Sequence, residues 1–497
     1  ILQKPLAPNI VLMLDDSGSL SWDFMPDWSY LNNNSNNDAL IDSANNGVYY
    51  NPTVTYTPPV KVDGTNYYTS YTDMTNVPVD GFGTVYPTSD TVDLTQYNSS
   101  DYDTGYIDYS KSLTSKSSYV KTGVTSNQCK NYYNNDPNAY DYNYKKNSQT
   151  CTIYTESSIN LFQYSTGPAA GPYTVHYVAA TSCGSTANCV VASDTSGTAA
   201  PAGIAAGTNI ANWFAYYHTR ILTAKTGLTL AFSGLDPTYR FGFGSIDGNN
   251  NSNLSSTAGK YSYYDAYNDQ TNYIAQVAPF GDGTTGTQKA KFWNWITSES
   301  ANNGTPLRQA LNQVGTYYQT AQPWQTSSSD ATEYACRPSY TILTTDGFWN
   351  DSSPGVGNVD GSDGTKITTP STYQYLPTAP FKDSYSSTLA DVAMKYWETD
   401  LQPSINNEVP TTPNDPAFWQ HMTTFTMGLG WDPTPLLGTG SGGETLTVPQ
   451  IFDWARTGTA PTGFSSTSNI WPQPASNSLN NIADLAHAAV NGHGDFF

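Results

Sequence analysis

The stretch Asn9–Leu14 (NIVLML) constrains the fold of this chain more than any other. It is nearly all apolar and runs straight into Asp15-Asp16-Ser17-Gly18-Ser19. A strand that is apolar along its whole length needs cover on both faces, as in a parallel sheet. Tyr340–Thr345 (YTILTT) is a second such run, and it too ends on an acid, Asp346. Around these strands the pattern is helical. Ile210, Trp213, Phe214, Tyr217, Ile221, Ala224, Leu228 and Ala231 recur at helical spacing, the stripe of one amphipathic helix of about six turns. Arg240–Ile246 reads as a strand and Lys289–Ile296 as a helix. Thr305-Pro306 opens another helix, with Thr at the cap, Pro at the first helical position, and Leu307, Leu311, Val314 and Tyr318 along its apolar side. Ser387–Leu401 then reads as a helix, Met422–Leu429 as a strand, and Pro449–Arg456 and Leu479–Val490 as helices. Strands alternating with helices predict a doubly wound α/β core with a mostly parallel sheet, built from residues 1–22 and 208–497.

Residues 23–207 differ in character. Asn, Ser, Tyr, Thr and Gly dominate, and short alternating stretches such as Tyr173–Ala179 predict small strands. Dispersed aromatics argue for a folded, partly β insertion rather than a linker. Its Tyr and Trp residues are expected to pack locally rather than to stack on sugars. Four of the five cysteines fall here, as the pairs Cys129/Cys151 and Cys183/Cys189. Neither pair has C-x-x-C spacing or a nearby His to complete a zinc site. Two loop-closing disulfides in an oxidising compartment are therefore expected. Cys336, left over before a core strand, is expected to be a buried thiol. The chain begins at Ile1 without Met, the start expected after removal of a signal peptide.

The net charge of −21 at pH 7 leaves nothing to neutralise phosphates, which argues against a nucleic-acid partner. No apolar run is long enough to predict a membrane span.

In a doubly wound sheet, ligands collect outside the carboxyl ends of the strands. Asp15 and Asp346 each follow a buried strand directly, so both carboxylates are expected at the same edge. Ser17 and Ser19 alternate with Asp15 around a turn that Gly18 lets curve tightly, and Thr305 adds a hydroxyl at a helix start. Two carboxylates and three hydroxyls are all hard oxygen donors. They suit Mg²⁺, Mn²⁺ or, less tightly, Ca²⁺, and do not suit zinc or copper.

The Asp15–Ser19 turn, the Gly304-Thr305-Pro306-Leu307 helix start and Thr344-Thr345-Asp346-Gly347 resemble the von Willebrand factor A domain and its metal-ion-dependent adhesion site. The resemblance implies that Ser17, Ser19 and Thr305 are hydroxyl ligands, and that Asp15 and Asp346 bind directly or through water. Asp16 is not implied as a ligand. Four further segments, Asn212–Arg220 (NWFAYYHTR), Asp391–Val409, Pro416–Gly430 and Asp484–Gly494 (DLAHAAVNGHG), are similar to the PilY family of type IV pilus tip adhesins. That likeness implies an extracellular protein at the pilus tip, exported through the periplasm. Minor pilins and a surface or host-cell receptor are the implied partners. In the family a carboxyl-terminal β-propeller follows the HAAVNG-like segment. Roles in surface attachment, pilus biogenesis, twitching motility and mechanosensing come with the resemblance. An alternative within it is an assembly component whose metal only stabilises the fold.

Other candidates are weaker. The five histidines are scattered and are expected to be structural. Neither a G-x-S-x-G elbow nor a Walker loop occurs, and no carboxylate pair has the context for acid/base work, so no enzyme activity is expected. In Asn358–Gly364 (NVDGSDG), Asp360 and Asp363 are spaced like the start of a calcium loop but lack its twelfth-position Glu. A polar turn is favoured there, with a second metal loop as the alternative.

Overall fold

The structure, a computed structural model, describes residues 6–25, 37–101, 105–167, 172–248, 254, 259–327, 329–430 and 433–497. The chain divides into two compact units, residues 1–26, 59–68 and 219–497 in the first and residues 27–58 and 69–218 in the second.

The first unit is built on a seven-stranded sheet. Its strands, labelled in chain order, are β1 (Asn9–Leu14), β2 (Arg240–Ser245), β3 (Lys260–Asp265), β4 (Gln270–Pro279), β5 (Ser339–Thr345), β6 (Thr423–Gly428) and β7 (His493–Phe496). They lie in the order β3-β4-β2-β1-β5-β6-β7. The five strands from β2 to β7 are parallel, and the β3–β4 hairpin adds antiparallel to β2. The α/β class with a parallel-rich sheet is therefore as expected. Six helices belong to this description: α1 (Arg220–Ser233), α2 (Gln288–Ser298), α3 (Leu307–Tyr318), α4 (Leu389–Glu398), α5 (Val448–Thr457) and α6 (Asn480–Asn491).

The apolar run of β1 is buried on both sides because alternate residues serve opposite layers. Val11 and Met13 join a core with Leu311 and Val314 of α3, Val392 of α4 and Leu485 of α6. Leu12 and Leu14 join a second core with Ile221 and Phe232 of α1 and Phe292 and Trp295 of α2. A side chain such as Leu12, fully buried there, contributes about 1.5–3 kcal/mol through its removal from water.

Several elements differ from the sequence expectations. The six-turn helix is two helices. Thr219 is extended, and its hydroxyl accepts from Leu222 N to cap α1, while Ala206–Tyr217 forms a separate helix that belongs to the second unit. Thr305 is not the cap of α3. Pro306 holds that position without a side-chain bond, because the Thr305 backbone is engaged by Asn350. The β3–β4 hairpin and the edge strand β7 were not anticipated. β7 (HGDF) has little strand propensity of its own and forms because α6 delivers it alongside β6, where Thr424 N donates to Gly492 O.

The second unit carries a five-stranded sheet. Cys189–Val191, Thr174–Ala179, Thr150–Thr166 and Ser110–Thr122 pair in that order, and Ala139–Lys145 also pairs with Thr150–Thr166. The two long strands escaped sequence reading because both faces are polar over much of their length. Hydroxyl pairs such as Ser115/Ser157 and Ser117/Thr155 face each other across them. Trp213 packs among Tyr49, Tyr50, Tyr109 and Phe162, so these aromatics are local core. The disulfides Cys129–Cys151 and Cys183–Cys189 form as expected. Cys336 is a free thiol, but only half-buried.

Candidate metal centre

β1 and β5 are parallel neighbours in register, Leu14 opposite Thr344. Asp15 and Asp346 therefore leave the same carboxyl edge of the sheet. Asp15 N donates to Thr344 O at 3.0 Å. Its Oδ1 accepts from Ser17 N at 2.8 Å and its Oδ2 from Thr345 Oγ1 at 2.6 Å. The Ser17 and Ser19 hydroxyl oxygens lie 3.1 Å apart. Gly18 N donates to Asn303 O and Asn302 N to Asp16 O, tying this turn to the loop that carries Thr305. A Cβ on Gly18 would stand 3.2 Å from Asn303 O, so the close approach favours glycine. Thr305 N donates to Asn350 Oδ1 at 2.7 Å, and Thr305 O accepts from Asn350 N. Three loops from three elements are thus laced into one corner, and all five expected residues belong to those loops.

The corner is interior. Asp15 and Asp346 are each 1% exposed and Thr305 is 4% exposed; Ser19 is half-buried. Burial first, and the Asp346 charge second, push the Asp15 carboxyl up to about 7. The cation paired with Asp346 was not foreseen. Arg220, at the start of α1, places Nη1 2.7 Å from Asp346 Oδ2, both side chains 1% exposed. Its Nε donates to Phe24 O, and its guanidinium lies over the rings of Trp22 and Phe24. Arg220 pairs with Asp346, whereas Asp15 accepts from neutral donors, Ser17 N and Thr345 Oγ1, so ionising both acids leaves a net buried negative charge. That imbalance, with paired serine hydroxyls alongside, fits a hard divalent cation. Asp16 points elsewhere: its Oδ1 accepts from Asp247 N at 3.0 Å.

Asp360 and Asp363 do not form a shared site. Asp363 is exposed, whereas the Asp360 carboxylate turns inward and is fully buried. Backbone N–H groups of Val359 and Asp360 both donate to Asp391 Oδ1, which rolls the loop so that the two acids diverge. Asp360 instead meets Asp383 and His487, a buried group of the kind that can hold a metal ion. His487 therefore has charged company that its scattered position in the sequence did not suggest. His218, by contrast, stacks on Phe214 as a structural side chain.

The first unit is thus a parallel-rich α/β module that gathers carboxylates and hydroxyls at the carboxyl edge of its sheet. Known relatives narrow this further. Over 100% of its length the chain is 30% identical (519 residues) to the type IV pilus biogenesis factor PilY1 of Pseudomonas aeruginosa strain UCBPP-PA14. It is also 30% identical over 522 residues to PilY1 of strain PAK. The kinship with the PilY family suggested by the motifs is thereby shown, and the chain is a homologue of PilY1. It spans 36% and 37% of the length of these two relatives. No family model matches the chain, and no solved structure matches it. Among the described residues, no helix is long and apolar enough to cross a membrane.

Proposed function

We propose that this chain is the metal-dependent attachment module of a type IV pilus tip protein, with the first unit acting as a von Willebrand factor A-type domain. The observation that carries this reading is the buried Asp15/Asp346 pair, of which Arg220 is bonded to Asp346. Asp15, Asp346 and the hydroxyls of Ser17, Ser19 and Thr305 would hold Mg²⁺, Mn²⁺ or Ca²⁺. The bound ion would supply a Lewis-acidic point for a carboxylate on a surface or host-cell receptor. Asn350 and Thr345 keep the donors in place by bonding Thr305 N and Asp15 Oδ2. The relatives' name supports a place in pilus biogenesis, and with it minor pilins as partners and an extracellular location. No catalytic role is assigned. Surface attachment is to be measured during Mg²⁺ titration of wild type and Asp15→Ala. Attachment of wild type alone should rise with the ion; equal attachment by both would sink the reading.

A second reading, in which the ion only braces an assembly or load-sensing component, is favoured by the burial of Asp346 under Arg220. Under it, Asp346→Ala should reduce the number of pili, counted by electron microscopy, and not attachment per pilus alone.

A further inference from the structure

The segment Asp484–Gly494 takes no part in the Asp15 corner, yet it carries a constellation of its own. His487 and Asn491 are four residues apart on α6 and share one helix face. Facing them are Asp360 and Asp383, from the long loop between β5 and α4. His487 Nε2 stands 3.5 Å from Asp360 Oδ2, and Nδ1 stands 3.7 Å from Asp383 Oδ2. One donor atom from each of the three residues falls within 4.8 Å of the others. All three side chains are buried.

The side chains and carbonyls around them fix their orientation. His487 stacks on Trp471 with ring centroids 4.2 Å apart. Its Nε2 lies 2.5 Å from Phe381 O, a contact that makes Nε2 the N–H donor and leaves the Nδ1 lone pair facing Asp383. Ligating histidines are commonly held this way, their other nitrogen donating to a carbonyl. A lone pair and a carboxylate oxygen facing each other across 3.7 Å repel, and a cation held between them removes that repulsion. Asn491 Nδ2 donates to Asp360 Oδ2 at 2.9 Å. Asn491 is fully buried and its Oδ1 has no hydrogen-bond partner, so an unsatisfied oxygen sits on the amide that is aimed into the cluster.

Neighbouring acids show what a purely structural carboxylate looks like here. Asp391 accepts from Thr388 N, Thr388 Oγ1 and Val359 N. Asp484 accepts from Leu389 N, Ala390 N and Trp349 Nε1. Each accepts three or more hydrogen bonds, whereas Asp360 accepts from Asp383 N and Asn491 Nδ2 and Asp383 from Tyr385 N. Asp391 and Asp484 also surround Asp383 with more negative charge.

We propose that Asp360, Asp383 and His487 bind a divalent transition-metal ion of the zinc–manganese class, with Asn491 as a positioning residue for Asp360. Two carboxylates balance a double positive charge, and the imidazole nitrogen selects against Mg²⁺ and Ca²⁺. The ion clasps the β5–α4 loop to α6. Its donors differ from those of the Asp15 corner, so the proposal stands apart from the attachment reading.

The test is to strip the full chain with chelator, hold it in excess Mg²⁺ to occupy the Asp15 corner, and add ZnCl₂ or MnCl₂. Metal content after desalting is read by mass spectrometry, and crystals are scanned at the zinc absorption edge. About one equivalent of zinc should be retained, with an anomalous peak among Asp360, Asp383 and His487. His487→Gln and Asp383→Asn should lose it, Asp363→Asn should keep it, and Asn491→Ala should weaken it roughly 10–100-fold. Wild type that retains neither metal, a peak confined to the Asp15 corner, or a folded Asp383→Asn chain that keeps its zinc would each overturn the proposal. Should both ligand variants fail to fold, the position of the wild-type peak decides.

Discussion

Replacing Arg220 with Met should cost far more stability without divalent ions than with them. The Arg220–Asp346 pair is 2.7 Å long with both side chains 1% exposed. Removing one partner of such a pair costs about 3–5 kcal/mol, because the other charge stays buried and uncompensated. Losing the Nε bond to Phe24 O adds roughly 1 kcal/mol. Met keeps an apolar contact with Trp22 and Phe24, so little packing is lost. An ion held by Asp15 and Asp346 would supply the missing charge and leave only the hydrogen-bond and packing share of the loss. By linkage, Mg²⁺ should then stabilise Arg220→Met by about 3–5 kcal/mol more than wild type, equivalent to roughly 150–5,000-fold tighter binding. Urea unfolding of both proteins in EDTA and in saturating Mg²⁺, with calorimetric titration of the ion, measures both quantities. An equal cost in the two buffers would show that no ion shares the Asp346 charge, and the reasoning about the corner would fall with it.

Three further outcomes follow from the same chemistry. Asp15 is raised to about 7 from an ordinary 3.8, so the folded chain holds a proton that the unfolded chain releases. Without ions, stability should therefore fall as pH rises between those values, by up to ~4 kcal/mol, and Mg²⁺ should flatten the slope; urea midpoints at about pH 5 and about pH 8 check this. Burial works against the charged form of His421, but the Asp415 carboxylate 2.9 Å away outweighs it and raises the imidazole above its usual value. That pair adds stability below about pH 6.5 that is lost as pH rises through the raised value, and Asp415→Asn should remove the contribution and lower the His421 titration seen by NMR. Replacing Cys129 and Cys151 with Ser should cost the second unit about 2–4 kcal/mol, seen as faster hydrogen exchange in the strands Ser110–Thr122 and Thr150–Thr166.

What could be read from the sequence depended on whether strand register carried the information. Asp15 and Asp346 were legible because each directly follows a buried strand, and two parallel neighbours in register must deliver their next residues to one edge. Ser17, Ser19 and Gly18 came with them through short-range turn geometry. Arg220 was illegible, since nothing within the NWFAYYHTR segment says that its guanidinium meets a carboxylate 126 residues away. The break between Tyr217 and Arg220 was hidden for a related reason. Apolar spacing continues through it, and only Thr219, extended and capping α1, marks the stop. The Asp360/Asp363 pairing failed because closeness along a loop does not set direction. Asp391, capping a helix some thirty residues on, decides which acid turns inward. His487 and Asn491 were halfway between these cases. They share one face of α6, but the helix expected over Leu479–Val490 stops short of Asn491, and the acids opposite come from a loop whose path no periodicity records. The oxygen corner was thus accessible to sequence reasoning because strands position both of its carboxylates, whereas the histidine cluster needed the fold, because loops position both of its acids. The same difference separates the two perturbations. A substitution at Asp15 acts on donors that a rigid sheet holds in place, so beyond the lost bonds to Ser17 N and Thr345 Oγ1 its effect should stay at the corner. One at Asp383 acts on a loop that, on our proposal, is held to α6 by the ion itself, so loss of the ion there should loosen the β5–α4 segment as well.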